Sequence, residues 1–402
     1  MGSFPREGMT LSASALASRL QVSKISEGLA QSEIRAMTVE CDNIGGVNLA
    51  QGVCDTDVPP AVAAAAVNAI HEGRNIYTRL DGITVLREAI AGKLALQNGI
   101  LCDPQNGVLI TNGATGGMMA ACMALLNPGD EVVLFEPFYG YHRNTLAALG
   151  VSRKYVRLHS GSDWSFDPDE LRAAINGKTR AILVNSPGNP TGKVFTRAEL
   201  ELIADLATEH DLFVFTDEIY EYFVYDDARH ISLASFPGMA ERTITISGFS
   251  KTFSITGWRL GYLAASPRWI PAIGYFHDLL YVCAPSPLQY GAAAGLLHLP
   301  PIFYQQIAID HHSKRDRLCS ALTDAGLTPS IPAGAYYVLA DATKLDGKDA
   351  KQKARSLLAR TGVGAVAGSA FYENGGDNEL RFCFAKKDDA LDQACRALRT
   401  LA

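Results

Sequence analysis

The sequence has no excess of basic residues and little charge of either sign. Its 402 residues include 36 Lys and Arg against 42 Asp and Glu, which gives a formal charge of −6. Because binding to nucleic acid needs clustered Lys and Arg, this balance argues against nucleic acid as the main partner. Hydrophobic residues make up 48% and charged residues 19% of the chain. A large core is therefore feasible, global disorder is excluded, and the length predicts two or three domains.

The sequence also lacks a long uninterrupted apolar run. Residues 108–129 and 279–309 carry no charge, but glycine, proline or glutamine interrupts both stretches. A membrane helix needs about 20 predominantly apolar residues, so both stretches predict buried segments and no membrane partner. The first ten residues contain no basic region followed by an apolar run, so we expect no signal peptide. The eight cysteines show no CxxC spacing, which predicts reduced thiols, no metal site and a cytoplasmic location.

From about residue 60, helical patterns alternate with short apolar segments. The predicted strands are 107–111, 131–135, 154–158, 180–185, 212–216, 243–247 and 260–264. The predicted helices between and around them are 61–72, 84–97, 115–126, 167–175 and 196–210. This alternation predicts an α/β fold with a mostly parallel sheet that is covered on both faces. In such sheets, ligands bind beyond the carboxyl ends of the strands.

The last hundred residues have a different pattern. Residues 302–325 and 388–401 read as helices, and residues 334–340 and 379–384 read as strands. This predicts a second, smaller α+β domain. We therefore expect a large domain over residues 51–290 and a small domain over residues 291–402. An N-terminal segment over residues 1–50, with a helix around residues 26–41, is expected to pack with the small domain.

A lysine follows one of the predicted strands in a turn of small residues. Lys251 lies in the sequence Ser-Gly-Phe-Ser-Lys-Thr, and Arg259 follows eight residues later. Burial lowers the pKa of a lysine, which a Schiff-base lysine requires. The arginine is a candidate phosphate partner in the same pocket. On this segment alone, a solvated turn lysine beside a structural arginine remains equally open.

Two further strands end in candidate polar residues. Asp217 ends an apolar strand and is a candidate partner for a protonated ring nitrogen, with Tyr220 in reach of a phenolic oxygen. Residues 185–192 form a turn with two prolines and two glycines that presents Asn189 rigidly. The alternatives are a helix-capping aspartate with a packed tyrosine, and a plain turn.

Two more segments are candidate anion sites. Ala114 and Thr115 lie between a strand and a helix, where backbone N–H groups form an anion site. Arg381 lies within an apolar strand, where an arginine needs an anionic partner. A substrate carboxylate fits that requirement, and the alternative is a structural ion pair.

Taken together and in this order, these segments resemble the fold-type I pyridoxal-phosphate enzymes. NPTG, then TDEIY, then SKT with GWRLG, are similar to class I/II aminotransferases of the aspartate aminotransferase superfamily. The resemblance runs from about Asn48 to the end, and residues 230–243 resemble the kynurenine and glutamine-transaminase-K branch. It implies a large domain with a mostly parallel seven-stranded sheet, a smaller α+β domain, and pyridoxal 5'-phosphate as cofactor.

The resemblance also implies roles for the catalytic residues. Lys251 would form the internal aldimine with pyridoxal phosphate, and Asp217 would pair with the pyridine nitrogen. Tyr220 and Asn189 would hydrogen-bond the hydroxyl oxygen of the ring. Lys251 would then move the α-proton of the substrate, because the protonated ring acts as an electron sink.

Further cofactor contacts follow from the resemblance. Ala114, Thr115 and Arg259 would hold the phosphate, and Tyr139 would stack on the ring. Tyr77 falls where the family reaches the phosphate of the partner subunit, which implies a homodimer. The family often has a hydroxyl residue at the position of Gly248, so the hydroxyl contact to phosphate is left unassigned here.

The substrate contacts that the resemblance implies are fewer. Arg381 would bind the α-carboxylate, assisted by Gly52 and Asn189. The expected activity is ping-pong transfer of an amino group from an L-amino acid, aromatic, sulfur-containing or otherwise apolar, to a 2-oxo acid. The alternative on the same fold is an enzyme that eliminates a β- or γ-substituent, or one like ACC synthase. Cys54 replaces a proline of the family's entrance loop, and the favoured interpretation is a small loop thiol.

Overall fold

The computed structural model describes residues 23–27 and 33–401. Its strands are β1 Val47–Asn48, β2 Val108–Thr111, β3 Glu131–Glu136, β4 Ser152–Arg157, β5 Thr179–Asn185, β6 Phe213–Asp217, β7 Thr243–Gly248, β8 Gly261–Ala264, β9 Thr328–Ser330, β10 Tyr337–Asp341, β11 Val363–Gly364, β12 Val366–Ala367 and β13 Glu379–Cys383. Its α-helices are α1 Lys24–Glu27, α2 Glu33–Asn43, α3 Pro60–His71, α4 Thr84–Lys93, α5 Gly113–Leu125, α6 Gly140–Ala148, α7 Pro168–Ala174, α8 Arg197–Glu209, α9 Ile270–Tyr281, α10 Ser286–His298, α11 Pro301–Asp324, α12 Ala350–Thr361 and α13 Asp388–Leu398.

The large sheet has the predicted α/β architecture. Its seven strands lie in the order β2-β8-β7-β6-β5-β3-β4, and every strand is parallel to its neighbours except β8, which is antiparallel to β2 and β7. Separate apolar clusters lie against its two faces, one around Leu134 and Phe215 and the other around Val133 and Val214. Because both faces are covered, the strands are continuous apolar runs without alternation.

Local sequence signals fix several helix starts. The side chain of Asp167 accepts a hydrogen bond from the Asp169 N–H, and Pro168 occupies the first position of α7, where a missing N–H has no cost. Thr196 and Glu199 form a capping box at the start of α8. Each side chain satisfies a backbone N–H that the helix itself leaves unpaired. Both starts lie where the sequence predicts them.

Other elements were not predicted. Helices α6, α9, α10 and α12 are absent from the sequence-based prediction, and residues 94–98 at the end of α4 form a π-helix. The prediction that residues 279–309 are buried is wrong in part, since Leu279 and Ile302 are 66% and 56% exposed. Among the described residues, no helix combines the length and apolar composition needed to cross a membrane. The predicted helix at 26–41 lies partly outside the described residues, which hold α1 and α2.

The C-terminal part contains an antiparallel sheet of four strands, in the order β12-β13-β10-β9. Strand β1 pairs in parallel with β11, and Met37 and Cys41 of α2 lie in the same apolar core as this sheet. Helix α10 crosses the predicted domain boundary at residue 290 and packs on α3 and α4. We therefore propose to place the boundary after His298, because this helix belongs to the core of the large domain.

Candidate active site

A cavity of about 440 Å³ opens at the carboxyl ends of the large-sheet strands. It brings together all but one of the residues that the sequence predicts for the site: Gly52, Ala114, Thr115, Tyr139, Asn189, Asp217, Tyr220, Lys251, Arg259 and Arg381. The exception is Tyr77, which is 78% exposed and does not line the cavity. Its assignment to the site of a partner subunit stays a prediction.

Lys251 follows β7 and points its amine into this cavity. Its Nζ donates a hydrogen bond to the carbonyl oxygen of Gly52 at 3.1 Å and lies 5.7 Å from the centre of the Tyr336 ring. Burial lowers the pKa of the Lys251 ammonium to about 8. The lowered pKa increases the fraction of the side chain that is a free amine, the form that attacks a carbonyl group.

Asp217 is held from several sides at the end of β6. Its Oδ2 lies 2.9 Å from His142 Nε2, and Asn185 donates its Nδ2 to the Asp217 carbonyl oxygen at 3.0 Å. Asp217 is the one carboxylate among the described residues that line the cavity. It is therefore the group available to a cationic ring nitrogen. The sequence analysis did not identify His142. The available signal was its position three residues after Tyr139, but it lies on a helix that was not predicted.

The predicted phosphate site lies at the start of α5, a helix of 13 residues. Gly113 has a φ of +68°, and a Cβ there would lie 2.7 Å from a nitrogen of the Arg259 guanidinium. The positive φ favours glycine at this position, and the Arg259 guanidinium lies close to the N-terminus of the helix, where the N–H groups of Ala114 and Thr115 favour an anion. The cradle fits a phosphate group, as pyridoxal phosphate requires.

The missing hydroxyl residue at position 248 has a steric explanation. A Cβ on Gly248 would lie 2.9 Å from the Cα of Gly261 and 3.2 Å from Ile219, so the adjoining strand excludes any side chain. Ser247 turns away and donates to the Glu218 carbonyl oxygen at 3.3 Å. Ser250 lines the cavity beside Lys251 and is therefore the candidate for the hydroxyl contact.

Arg381 is fully buried beneath the cavity. It donates to Asn189 Oδ1 at 2.9 Å and to the Ala50 carbonyl oxygen at 2.6 Å, while its Nε has no partner. The rings of Tyr337 and Phe371 lie 4.3 and 4.8 Å from its guanidinium carbon. Within residues 23–27 and 33–401, no carboxylate pairs with Arg381, so the alternative of a structural ion pair finds no support there. An incoming carboxylate meets this requirement.

Tyrosine side chains join the two domains at the floor of the site. The hydroxyl oxygens of Tyr220 and Tyr337 are 2.9 Å apart, and Tyr336 donates to the Gly52 carbonyl oxygen at 3.1 Å. Burial raises the pKa of Tyr220 well above its usual value, so its phenol stays a proton donor. Tyr336 lies in the turn before β10 and Tyr337 begins that strand, and both side chains are buried. Tyr337 also lines the cavity.

Cys54 lies among polar side chains, which the interpretation as a small loop thiol did not anticipate. Its sulfur lies 3.3 Å from Thr56 Oγ1, 3.4 Å from Ser254 Oγ and 4.0 Å from His311 Nε2. Burial disfavours the thiolate, but hydrogen bonds and the charge of His311 outweigh it and lower the pKa of Cys54 to about 6. The thiol therefore belongs to a polar cluster next to the lysine loop, which the sequence reasoning missed.

The comparisons with known proteins agree with this geometry. The family described as aminotransferase class I and II matches residues 44–398. A probable N-succinyldiaminopimelate aminotransferase of Mycobacterium tuberculosis is 38% identical over 377 residues, which cover 91% of this chain and 95% of that protein. Kynurenine–oxoglutarate transaminase 3 of Rattus norvegicus is 34% identical over 426 residues, covering 98% and 93%.

A solved structure is similar over nearly the whole chain. The N-succinyldiaminopimelate aminotransferase of Mycobacterium tuberculosis has a TM-score of 0.91 at 37% identity and covers 95% of this chain and 100% of its own. Fold, cofactor cradle and sequence therefore lead to the same assignment. The chain belongs to the class I and II aminotransferases, which use pyridoxal 5'-phosphate as their cofactor.

Proposed function

We propose that this enzyme moves the α-amino group of an L-amino acid to a 2-oxo acid by a ping-pong mechanism. One arrangement carries the proposal: a lysine with a lowered pKa, Lys251, shares a cavity with Arg381, a buried arginine that has no carboxylate partner among the described residues. The first group suits imine chemistry and the second suits a substrate carboxylate. Pyridoxal phosphate, when bound, supplies the electron sink for the carbon acid.

The residues of this chain divide the remaining work. Arg259 and the first turn of α5 bind the phosphate, and Asp217 holds a proton at the ring nitrogen, oriented by His142. Tyr220 and the amide of Asn189 hydrogen-bond the ring hydroxyl oxygen. These contacts fix the ring, so that the substrate reacts in a single orientation.

The substrate groups are bound and moved by two residues. Arg381 binds the α-carboxylate in a pocket from which Tyr337 and Phe371 exclude water. Lys251, as a free amine, would be the base that takes the proton from the α-carbon. The second half of the reaction uses the same groups in reverse, with a 2-oxo acid as acceptor.

The walls of the cavity support an aromatic, sulfur-containing or other apolar amino acid as donor. Apolar and aromatic side chains face the substrate space, including Ile34, Val53, Met118, Tyr139 and Tyr141. Such surfaces favour apolar side chains by removing them from water. We also propose a cytoplasmic location, which the eight unpaired cysteines support.

Absorbance of the purified enzyme with pyridoxal phosphate tests the proposed reaction. L-amino acids added without an acceptor should convert the visible band to a pyridoxamine-like band and release one equivalent of 2-oxo acid. In Lys251→Ala the visible band should not convert. Lys251→Arg should fail in the same way, because arginine cannot form an imine. The exposed control Lys344→Ala should behave like wild type. Continuous release of 2-oxo acid and ammonia without acceptor would instead indicate elimination.

We further propose that the active unit is a homodimer to which Tyr77 contributes across the interface. Large apolar side chains are exposed around it and on α9, with Ile76 79% and Leu279 66% exposed. Such surface marks interaction sites in soluble proteins. Mixing inactive Lys251→Ala with a defective Tyr77→Ala variant should restore activity, because each hybrid dimer holds one intact site. No recovery on mixing, with hybrid dimers demonstrated, would contradict the shared site.

A further inference from the structure

A histidine on a neighbouring helix holds the turn in front of the proposed phosphate site. Strand β2 ends at Thr111, and Asn112 is the N-cap of α5. The Asn112 N–H donates to His277 Nε2 at 3.1 Å, and His277 lies on α9 and is fully buried. The turn that leads into the phosphate cradle is therefore held by an acceptor that lies 165 residues further along the chain.

This contact fixes the protonation state of the imidazole. A backbone N–H can only donate, so Nε2 of His277 accepts and the proton of the neutral ring lies on Nδ1. Burial lowers the pKa of His277 to about 4, although the charge of Asp278 opposes this shift. The ring is therefore neutral at physiological pH. A cation at this place would also face the positive end of the α5 dipole, so the neutral acceptor is the form that suits the site.

The other nitrogen of this ring indicates that packing alone does not explain the histidine. Nδ1 of His277 is buried and has no hydrogen-bond partner among the described residues. Helix α9 buries two further side chains, Ile270 and Ile273, and both are apolar. Because an unpaired buried N–H costs stability, an apolar ring would pack at this position with less cost. The hydrogen bond from Asn112 to Nε2 is the interaction that explains a histidine here.

The side chain of Asn112 does not fix the turn itself. It makes no capping hydrogen bond to α5, and its Oδ1 has no partner in the described part of the chain. Helix α9 also packs on the first turn of α5 at a second point, since a Cβ on Gly116 would lie 3.2 Å from the Tyr281 ring. The Tyr281 and His277 rings lie 5.2 Å apart. One side of α9 therefore supports both the N-cap and the first turn of α5.

The supported turn is continuous with the groups that would bind phosphate. Gly113, with a φ of +68°, follows Asn112, and the Arg259 guanidinium lies close to it. The next two residues, Ala114 and Thr115, line the cavity. Because the backbone from Asn112 to Thr115 is a single turn, the acceptor that holds its first N–H also sets the direction of the N–H groups that follow.

We propose that His277 is a positioning residue for the cofactor phosphate: its Nε2 holds the Asn112 backbone and thereby directs the N–H groups at the start of α5 into the cavity. The inference rests on the phosphate site of the proposed function. Without the acceptor, the turn relaxes to pair the free N–H elsewhere, and ordering it again on binding costs affinity. The loss should concern the phosphate group alone, because Asp217 and Lys251 hold the ring from other strands.

Binding of three ligands to the apoenzyme tests the inference without turnover. Pyridoxal phosphate, pyridoxal and inorganic phosphate are titrated by calorimetry into wild type, His277→Phe and His277→Gln. Phenylalanine keeps a ring but removes the acceptor, whereas the amide oxygen of glutamine can accept. Affinity for both phosphate ligands should fall by about 10- to 100-fold in His277→Phe and by less in His277→Gln, with pyridoxal within about twofold throughout. His298→Phe, at an exposed histidine of α10, is the matched control and should bind like wild type.

The ratio of the Kd values for pyridoxal and pyridoxal phosphate within one preparation cancels any change in the folded fraction. The phosphorus NMR resonance of the bound cofactor supplies a second readout: it should shift in His277→Phe and return towards the wild-type position in His277→Gln. Equal losses for pyridoxal and pyridoxal phosphate, no loss in His277→Phe, or no recovery in His277→Gln would overturn the assignment of His277. A wild type that binds pyridoxal phosphate no more tightly than pyridoxal would instead refute the phosphate site of the proposed function, so the two failures are distinguishable.

Discussion

Gly52 is the position where the smallest change should disturb the active site most. A Cβ there would lie 1.9 Å from the Tyr337 hydroxyl oxygen and 2.8 Å from the ring carbon that carries it. Non-bonded carbon atoms prefer separations of about 3.5 Å, so either the ring or the Gly52 loop must move by about 1.5 Å in Gly52→Ala. Such overpacking costs about 1–3 kcal/mol of stability.

The displacement has a larger effect on activity than on stability. The Gly52 carbonyl oxygen accepts hydrogen bonds from Lys251 and Tyr336, and Tyr337 is bonded to Tyr220. A misplacement of about 1 Å at reacting groups can reduce the rate by about 100-fold. We therefore expect kcat/KM for amino-group transfer to fall by about that factor in Gly52→Ala, with a lower Tm in the same preparation.

Two variants complete the test of Gly52. Gly177→Ala is the matched control, because a Cβ there has no neighbour within 4 Å. Tyr337→Phe removes the oxygen nearest to the added Cβ. In the double variant Gly52→Ala/Tyr337→Phe, the loss of kcat/KM, expressed as a free energy, should therefore be smaller than the sum of the losses in the two single variants. Wild-type kcat/KM and Tm in Gly52→Ala would refute the reasoning, and so would additive losses in the double variant.

The ionisation of Cys54 and the support of Asp217 give two further predictions. The rate of alkylation by iodoacetamide, followed by mass spectrometry across pH, should reach half its maximum near pH 6 for Cys54 and near pH 11 for Cys102. A Cys54 midpoint above pH 8 would contradict the thiolate cluster. A midpoint that does not change in His311→Leu would contradict it as well. In His142→Leu, Asp217 loses a hydrogen-bond partner worth about 1.5–3 kcal/mol, so kcat/KM should fall by about 10- to 100-fold. The exposed control His71→Leu should not change, and an unaltered His142→Leu would rule out an orienting role.

The sequence by itself determined the class of fold and the residues for cofactor chemistry. Short β-branched and apolar strands, capped helices and glycine-proline turns are local signals, so they identify a parallel α/β sheet and place Lys251 and Asp217 at strand ends. The order and spacing of these motifs then led to the aminotransferase family. Boundaries of strands and capped helices fall within a few residues of their predicted places for the same reason.

The tertiary structure decided which distant residues meet. His142 carries no local signal of function, because its partner Asp217 lies 75 residues away along the chain on a separate element. The missing hydroxyl at Gly248 is likewise explained only by the backbone of the adjoining strand. Local sequence patterns fix the elements and their ends, whereas cavities, charge balance and steric exclusion arise only when separate elements pack together.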